Sequence, residues 1–79
     1  MTQRTDQEAH TMKVDWVDGF TIKTEASEGE FVISANKEGL LSLAGQLAAL
    51  AEGKPGDHIH YDENNSLEDG SAELIIERI

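Results

Sequence analysis

The sequence contains no cysteine, and this absence removes several kinds of chemistry at once. Disulfide bonds, thiolate metal sites and cysteine nucleophiles are all excluded. Nothing in the sequence therefore requires an oxidising compartment. With 79 residues, the chain is long enough for one small domain, so its fold depends on a single hydrophobic core.

Long apolar runs are also missing. No segment approaches the roughly 18 consecutive apolar residues of a membrane-spanning helix. The polar stretch MTQRTDQEAHT at the start of the sequence lacks the apolar region of a signal peptide. We therefore predict a flexible N-terminal tail over residues 1–11, one domain over residues 12–79 and a cytoplasmic location.

Basic residues are few. Six Lys and Arg side chains accompany sixteen Asp and Glu, which gives a formal net charge of −10 at pH 7. This charge disfavours nucleic acid, because affinity for nucleic acid comes mainly from basic side chains that neutralise phosphates. It disfavours anionic membranes as well, and it favours a basic protein partner through charge complementarity. The alternative is that the charge only keeps a small protein soluble.

Alternating apolar and polar residues predict five strands, and a change of period predicts one helix after the third strand. The predicted strands cover residues 12–17, 20–25, 31–35, 57–62 and 71–79. Asp18-Gly19 is a typical hairpin turn. Between Asn36, a suitable N-cap, and Gly53, apolar residues recur at three- and four-residue spacing, which is typical of an amphipathic helix.

The order β-β-β-α-β-β predicts an α+β fold with a single, mostly antiparallel sheet and one amphipathic helix packed on one face. The strand residues predicted to lie under the helix are Met12, Val14, Trp16, Phe20, Ile22, Phe31, Ile33, Ile59, Tyr61, Leu74 and Ile76. The helix residues predicted to face them are Leu40, Leu43, Ala44, Leu47, Leu50 and Ala51. The predicted outer face of the helix consists of Ser42, Gly45, Gln46, Ala49 and Glu52.

The opposite face of the predicted sheet is mixed in character. It carries His58, His60, Glu73 and Glu77 together with aliphatic residues such as Val32 and Ile75. Apolar centres inside charged rims are typical of protein–protein contacts. An ordinary solvated sheet face with a few exposed aliphatic residues is the alternative interpretation.

Two histidines and one aspartate, His58, His60 and Asp62, alternate along one predicted strand. This spacing would project three possible metal ligands from one face, and Glu73 or Glu77 could complete a coordination shell. Paired histidines are also common on exposed strands, so an ordinary solvated strand is the alternative interpretation. The acidic loop that follows does not match a calcium-binding EF-hand, because position 6 counted from Asp62 is Leu67 where that motif needs glycine.

The sequence predicts no enzyme and no cofactor. A carboxylate such as Asp62 or Glu73 could orient a histidine for acid–base chemistry. However, no nucleophile-elbow motif or oxyanion-hole signature accompanies Ser66 or Ser71. The glycines are scattered and do not form a phosphate-binding loop.

The second half of the chain resembles the bacterial immunity protein 32 family of polymorphic toxin systems. The resemblance rests on three short motifs: G-x-x-S-L-A from Gly39, G-x-H-I-H-x-D from Gly56, and S-L-E-x-G-S-x-E-L-I-I from Ser66. It spans residues 39–79 and implies a cytoplasmic protein that protects its producer by binding a cognate toxin. It does not imply catalysis.

Combined with the net charge, the resemblance predicts an acidic protein that neutralises a toxin with a basic surface by covering its active site. The predicted contact residues are His58, His60, Asp62, Glu63, Glu68, Asp69, Glu73 and Glu77. Two alternatives stay open. One is a small metal-binding module that uses His58, His60 and Asp62. The other is a homo-oligomeric structural protein, such as a homodimer, that self-associates through edge strands or the small-residue outer face of the helix; the apolar residues Val32, Ile75 and Ile79 motivate it.

Overall fold

A computed structural model describes residues 14–79, which form one helix and four strands. The elements are β1 (Ile22–Ser27), β2 (Glu30–Ala35), α1 (Lys37–Ala51), β3 (His58–Tyr61) and β4 (Leu74–Glu77). The predicted tail over residues 1–11 and the first two residues of the predicted first strand lie outside the described residues. Within residues 14–79, no helix is long and apolar enough to cross a membrane.

The strands form two separate antiparallel pairs. In the first pair, Ile22 of β1 lies opposite Ala35 of β2, and a tight turn joins the strands where Glu28 has a φ of 46° and Gly29 a φ of 85°. In the second pair, Ile59 of β3 lies opposite Ile76 of β4. The α+β class, the antiparallel pairing and the single helix are confirmed, whereas the prediction of a single sheet is wrong.

The connection between β3 and β4 explains why the pairs do not merge into one sheet. This connection runs along the edge of β1 that faces away from β2. The Glu68 amide donates to the Ile22 carbonyl at 2.9 Å, and the Ala72 amide donates to the Thr24 carbonyl at 3.2 Å. The Ser71 hydroxyl oxygen accepts a bond of 3.1 Å from the Thr24 amide. These bonds occupy the backbone groups that another strand would need for pairing.

The predicted first strand is also wrong in its described part, because residues 14–17 are not a strand. Their backbone groups bond to side chains of α1. The Val17 amide donates to the Ser42 hydroxyl oxygen at 2.8 Å, and the Asp15 carbonyl accepts from the Gln46 side-chain amide at 2.8 Å. Polar groups of the helix thus replace the neighbouring strand that the alternation of residues predicted.

The Asp18-Gly19 turn is present, but it leads from this irregular segment directly into β1. Asn36 holds the turn in place. Its side-chain oxygen accepts from the Thr21 amide at 3.0 Å and from the Gly39 amide at 2.7 Å, and its side-chain nitrogen donates to the Gly19 carbonyl at 2.9 Å. Asn36 is therefore the helix N-cap, as predicted, and it also joins the helix start to the turn.

The helix packs on a face that only partly matches the predicted one, because Leu43 and Leu50 are buried as predicted. Its buried residues are Gly39, Ser42, Leu43, Gln46 and Leu50. Ser42 and Gln46, which were predicted to face outward, are buried because they bond to the segment around Val17. Leu40, Ala44, Leu47 and Ala51, which were predicted to face inward, are exposed.

The hydrophobic core joins the helix, both strand pairs and the β3–β4 connection. Its buried residues are Ile22, Leu43, Leu50, Ile59, Tyr61 and Leu67, with Val14, Trp16, Phe20, Ala35, Leu74 and Ile76 packed around them. Phe31 and Ile33 are exposed, contrary to prediction. The helix contacts the β1–β2 hairpin near Ala35, at the opposite end of β2 from Phe31. Met12 lies outside the described residues.

Candidate functional site

The predicted contact residues centre on the second strand pair. Ile59 and Tyr61 of β3 point into the core, and the alternation places His58 and His60 on the other side. In the pairing register, His58 lies opposite Glu77 and His60 lies opposite Ile75. The outer β3–β4 face, formed by His58, His60, Ile75 and Glu77, is therefore a mixed surface with an exposed isoleucine among titratable groups, as the alternation predicted.

The two imidazoles of this face lie close together. Their ring centroids are 4.9 Å apart with an interplanar angle of 68°. His58 Nδ1 is 3.0 Å from the Gly56 carbonyl oxygen, and His60 Nδ1 is 3.9 Å from Glu73 Oε2. Because both His60 and Glu73 are about half exposed, water screens their attraction and the pair contributes little to stability.

The loop after β3 is shaped by two of the predicted contact carboxylates. Asp62 Oδ1 accepts from the amides of Asn64 at 2.9 Å and Asn65 at 3.1 Å, which is a typical turn-forming role for aspartate. Glu63 Oε2 accepts from the Gly70 amide at 2.6 Å. Asp62 and Glu63 thus order the loop with their own oxygens.

The remaining carboxylates of the predicted contact set are exposed to solvent. Glu68, Asp69, Glu73 and Glu77 are all exposed. Glu73 lies 3.9 Å from His60 and Glu77 lies opposite His58, so the structure brings four of the predicted contact residues together at the outer β3–β4 face. Glu68 and Asp69 lie in the β3–β4 connection, which Asp62 and Glu63 stabilise.

The structure does not assemble the predicted metal ligands. Among residues 14–79, no group of three or more His, Asp or Glu side chains is placed to hold a metal ion. The strand ends at Tyr61, so the alternation that placed Asp62 beside His58 and His60 does not continue to it. Its Oδ1 atom bonds to backbone amides of the loop instead.

Most residues of the three short motifs hold the fold together. A Cβ atom at Gly39 would lie 2.5 Å from the Thr21 carbonyl oxygen, so the absence of a side chain allows the helix to approach β1. The Ser42 hydroxyl donates to the Glu38 carbonyl at 2.8 Å while it accepts from Val17. These contacts explain why a glycine and a serine occur three residues apart at the start of α1.

The last motif forms the β3–β4 connection. Leu67 is buried in the core, Gly70 has a φ of 86°, and Ser71 bonds to Thr24 on the edge of β1. Thr24 is fully buried, and its hydroxyl donates to the Ala72 carbonyl. Sequence reasoning placed Leu67 in a polar loop but attributed it to core packing, which its burial confirms. It left Thr24 out of the predicted core, although the alternation puts Thr24 on the same strand face as Ile22.

A series of buried hydrogen bonds links β3, α1 and the segment before β1. The Tyr61 hydroxyl donates to Gln46 Oε1 at 2.7 Å, and the side-chain nitrogen of Gln46 donates to the Asp15 carbonyl at 2.8 Å. Burial raises the pKa of Tyr61 from 10.0 to about 12, because the phenolate would be desolvated in the core. These hydrogen bonds satisfy the buried polar groups of Tyr61 and Gln46, and neither side chain is exposed for chemistry.

Comparison with known proteins agrees with the motifs. Residues 30–79 match the family described as Immunity protein 32. This stretch begins at the first residue of β2 and includes α1, β3 and β4. No curated protein and no solved structure matches the chain. Because the match covers more than half of the sequence and contains all three motifs, the chain belongs to the Immunity protein 32 family.

Proposed function

We propose that this protein acts in the cytoplasm as an acidic immunity protein, which binds a cognate bacterial toxin and neutralises it. Family membership is the observation that supports this function most directly. The proposal requires binding alone, with no catalytic step and no cofactor. The toxin would be inactive in the complex because its active site is covered.

The charge distribution supports a basic partner. Residues 14–79 contain fourteen acidic and four basic side chains, so the described part of the protein carries a strongly negative field. A toxin with a basic surface would be attracted over a distance of about one Debye length, roughly 8 Å at physiological ionic strength. Such attraction increases the association rate and discriminates against acidic partners.

The outer β3–β4 face and the adjoining loop form the surface that we propose for the charged part of this contact. Ile75 is an exposed apolar residue there. Glu68, Asp69, Glu73 and Glu77 supply carboxylates that can pair with Lys or Arg. His58 and His60 add aromatic rings whose nitrogen atoms can donate or accept hydrogen bonds.

Co-expression with the toxin domain encoded beside this gene tests the function. We expect the two proteins to purify together through a tag on one of them, and we expect growth of the host to be restored when both are present. A catalytically inactive toxin variant allows the affinity to be measured without toxicity. Failure of the pair to associate, together with continued toxicity, would contradict the proposed function.

A further inference from the structure

The surface of α1 that faces away from the core has an unusual composition. No charged residue occurs between Gly39 and Ala51, although the protein as a whole is highly charged. The exposed residues include Leu40 at 55%, Leu41 at 52% and Leu47 at 44% of their full accessible surface. A surface helix normally carries polar residues on its outer side, whereas a helix that is apolar all round is normally buried.

These leucines belong to a continuous strip of the helix. We define the outer helix face as Leu40, Leu41, Ala44, Leu47 and Ala48, all of which are exposed. Leu40, Ala44 and Leu47 recur at spacings of four and three, and Leu41, Ala44 and Ala48 at spacings of three and four, so the five residues lie side by side on successive turns. The alanine side chains are short, so another protein can approach the helix closely at these positions.

A groove of about 280 Å³ runs beside this strip. Its lining residues are Asp15, Trp16 and Val17 on one side and Leu41, Ser42, Gly45, Gln46 and Ala49 on the other. The polar side chains of Ser42 and Gln46 already bond to the neighbouring backbone. The surface left for a ligand is therefore mainly apolar, and Leu41 belongs to both the groove and the outer helix face.

The charges around the groove indicate what kind of partner fits. Among residues 14–79, Asp15 is the only charged residue in its lining. Glu38 and Glu52 lie near the two ends of α1, on the same side of the helix as Leu41. A partner with an apolar side chain flanked by Lys or Arg would complement both the groove and its acidic border.

Two other occupants fit less well. A second copy would bring the same acidic border against its own equivalent, with a net charge of −10 on each molecule, and like charges across a contact oppose association. Residues 1–13 include only three apolar side chains, Met1, Ala9 and Met12. Three such side chains are too few to cover a strip with three exposed leucines and fill the groove beside it.

We infer that the outer helix face and the adjacent groove form a second, apolar contact surface for the toxin, with a toxin side chain inserted between Trp16 and Leu41. This inference rests on the proposed function and adds a second surface to it. Basic toxin residues beside that side chain pair with Asp15. An apolar group inserted into a pocket at the centre of a contact typically contributes a large share of the binding energy.

Substitution of Leu41 by lysine tests this inference. Leu41 is half exposed, lysine favours helix almost as much as leucine, and Glu38 lies one turn earlier, so the fold should tolerate the change. The matched control is Val32→Lys, because Val32 is 46% exposed and lies in β2, directly opposite Glu25. The probe is the inactive toxin domain encoded beside this gene, with affinity measured by calorimetry.

We expect Leu41→Lys to weaken toxin binding at least tenfold, whereas Val32→Lys changes it less than about twofold. Gly45→Met provides a second variant that adds no charge. Gly45 lines the groove and a Cβ atom there meets no other atom within 4 Å, so a methionine side chain starts from open space beside the groove and should also weaken binding about tenfold. Thermal unfolding checks that each variant remains folded.

Three outcomes would overturn the inference. If both helix variants bind the toxin with wild-type affinity, this inference is wrong but the proposed function stands, because the toxin then binds elsewhere on the protein. Sedimentation that shows a wild-type dimer and a Leu41→Lys monomer would assign the surface to a second copy. A wild-type protein that does not bind the toxin would contradict the proposed function and this inference together.

Discussion

At the scale of single residues, burial in the core changes the acidity of the Tyr61 hydroxyl. Its pKa rises from 10.0 to about 12, so the protonated form is favoured in the folded protein. The resulting stability is fully present below pH 10 and is lost as the pH rises through 12. We expect the free energy of unfolding to fall by roughly 2–3 kcal/mol across this window.

Denaturant unfolding at about pH 9 and pH 11.5 measures this effect, with Tyr61→Phe as the control. The variant should be less stable at neutral pH by about 1–3 kcal/mol, because Gln46 Oε1 loses its buried donor. Its stability should then depend less on pH in the alkaline range. An equally steep alkaline loss in the variant would show that Tyr61 is not the group responsible.

Residue patterns predicted some of the burial and misjudged the rest for a physical reason. Alternation correctly placed Ile59 and Tyr61 inward, because a strand side chain's face follows from its position alone. Gln46 was predicted to face solvent because it is polar. Its burial depends on Asp15, which is 31 positions away, and no local pattern can report such a distant hydrogen-bond partner.

At the scale of elements, two glycines of α1 should respond in opposite ways to the same substitution. Gly39→Ala would place a Cβ atom 2.5 Å from the Thr21 carbonyl and 3.0 Å from the side chains of Ile22 and Ala35. We expect a loss of about 1–3 kcal/mol from overpacking. Gly45→Ala meets open space and should stabilise the helix by up to about 1 kcal/mol.

Thermal and denaturant unfolding of the two alanine variants measures this difference. Each variant serves as the control for the other, because both replace a glycine within one helix. Equal changes in stability at the two positions would contradict the close approach of the helix to β1.

The β3–β4 connection gives a second prediction at this scale. Leu67 fixes it to the core, so Leu67→Ala should lower the free energy of unfolding by about 2–5 kcal/mol. Leu40→Ala, at an exposed position of α1, should change it by less than about 0.5 kcal/mol. Denaturant unfolding gives both values. A small effect at Leu67 would mean that the connection is held by its backbone bonds alone.

The sequence predicted local elements better than their assembly. The helix bounds, its Asn36 cap and the β1–β2 turn follow from period and turn residues that are adjacent in the chain. The separation into two strand pairs depends on residues 68–72, which bond to β1 without forming a strand. An irregular segment has no side-chain period, so alternation could not predict that it would occupy this edge.

At the scale of the whole molecule, the negative field and the proposed toxin contact make a joint prediction. The double variant Asp69→Lys/Glu73→Lys changes the net charge by four units within the surface that we propose for the charged part of the toxin contact. We expect it to slow association with the toxin at least tenfold at low salt, because steering depends on charge near the contact. The difference should shrink as salt is added.

Stopped-flow or surface-based kinetics with the inactive toxin domain measures these rates. Glu28→Lys/Glu30→Lys, near the β1–β2 turn, is a control with the same change in net charge. An equal effect of both double variants would show that only the total charge matters. In that case the outer β3–β4 face would have no special role in the encounter.

The bonds between β1 and the β3–β4 connection also have a consequence for the order of folding. The Thr24 amide and the Ser71 hydroxyl are 47 positions apart, whereas β1 and β2 are joined by a turn of two residues. Closing a long loop costs chain entropy before its contacts can compensate. The hairpin and α1 can therefore form early from local contacts, and the arrival of Ser71 at the edge of β1 completes the native state.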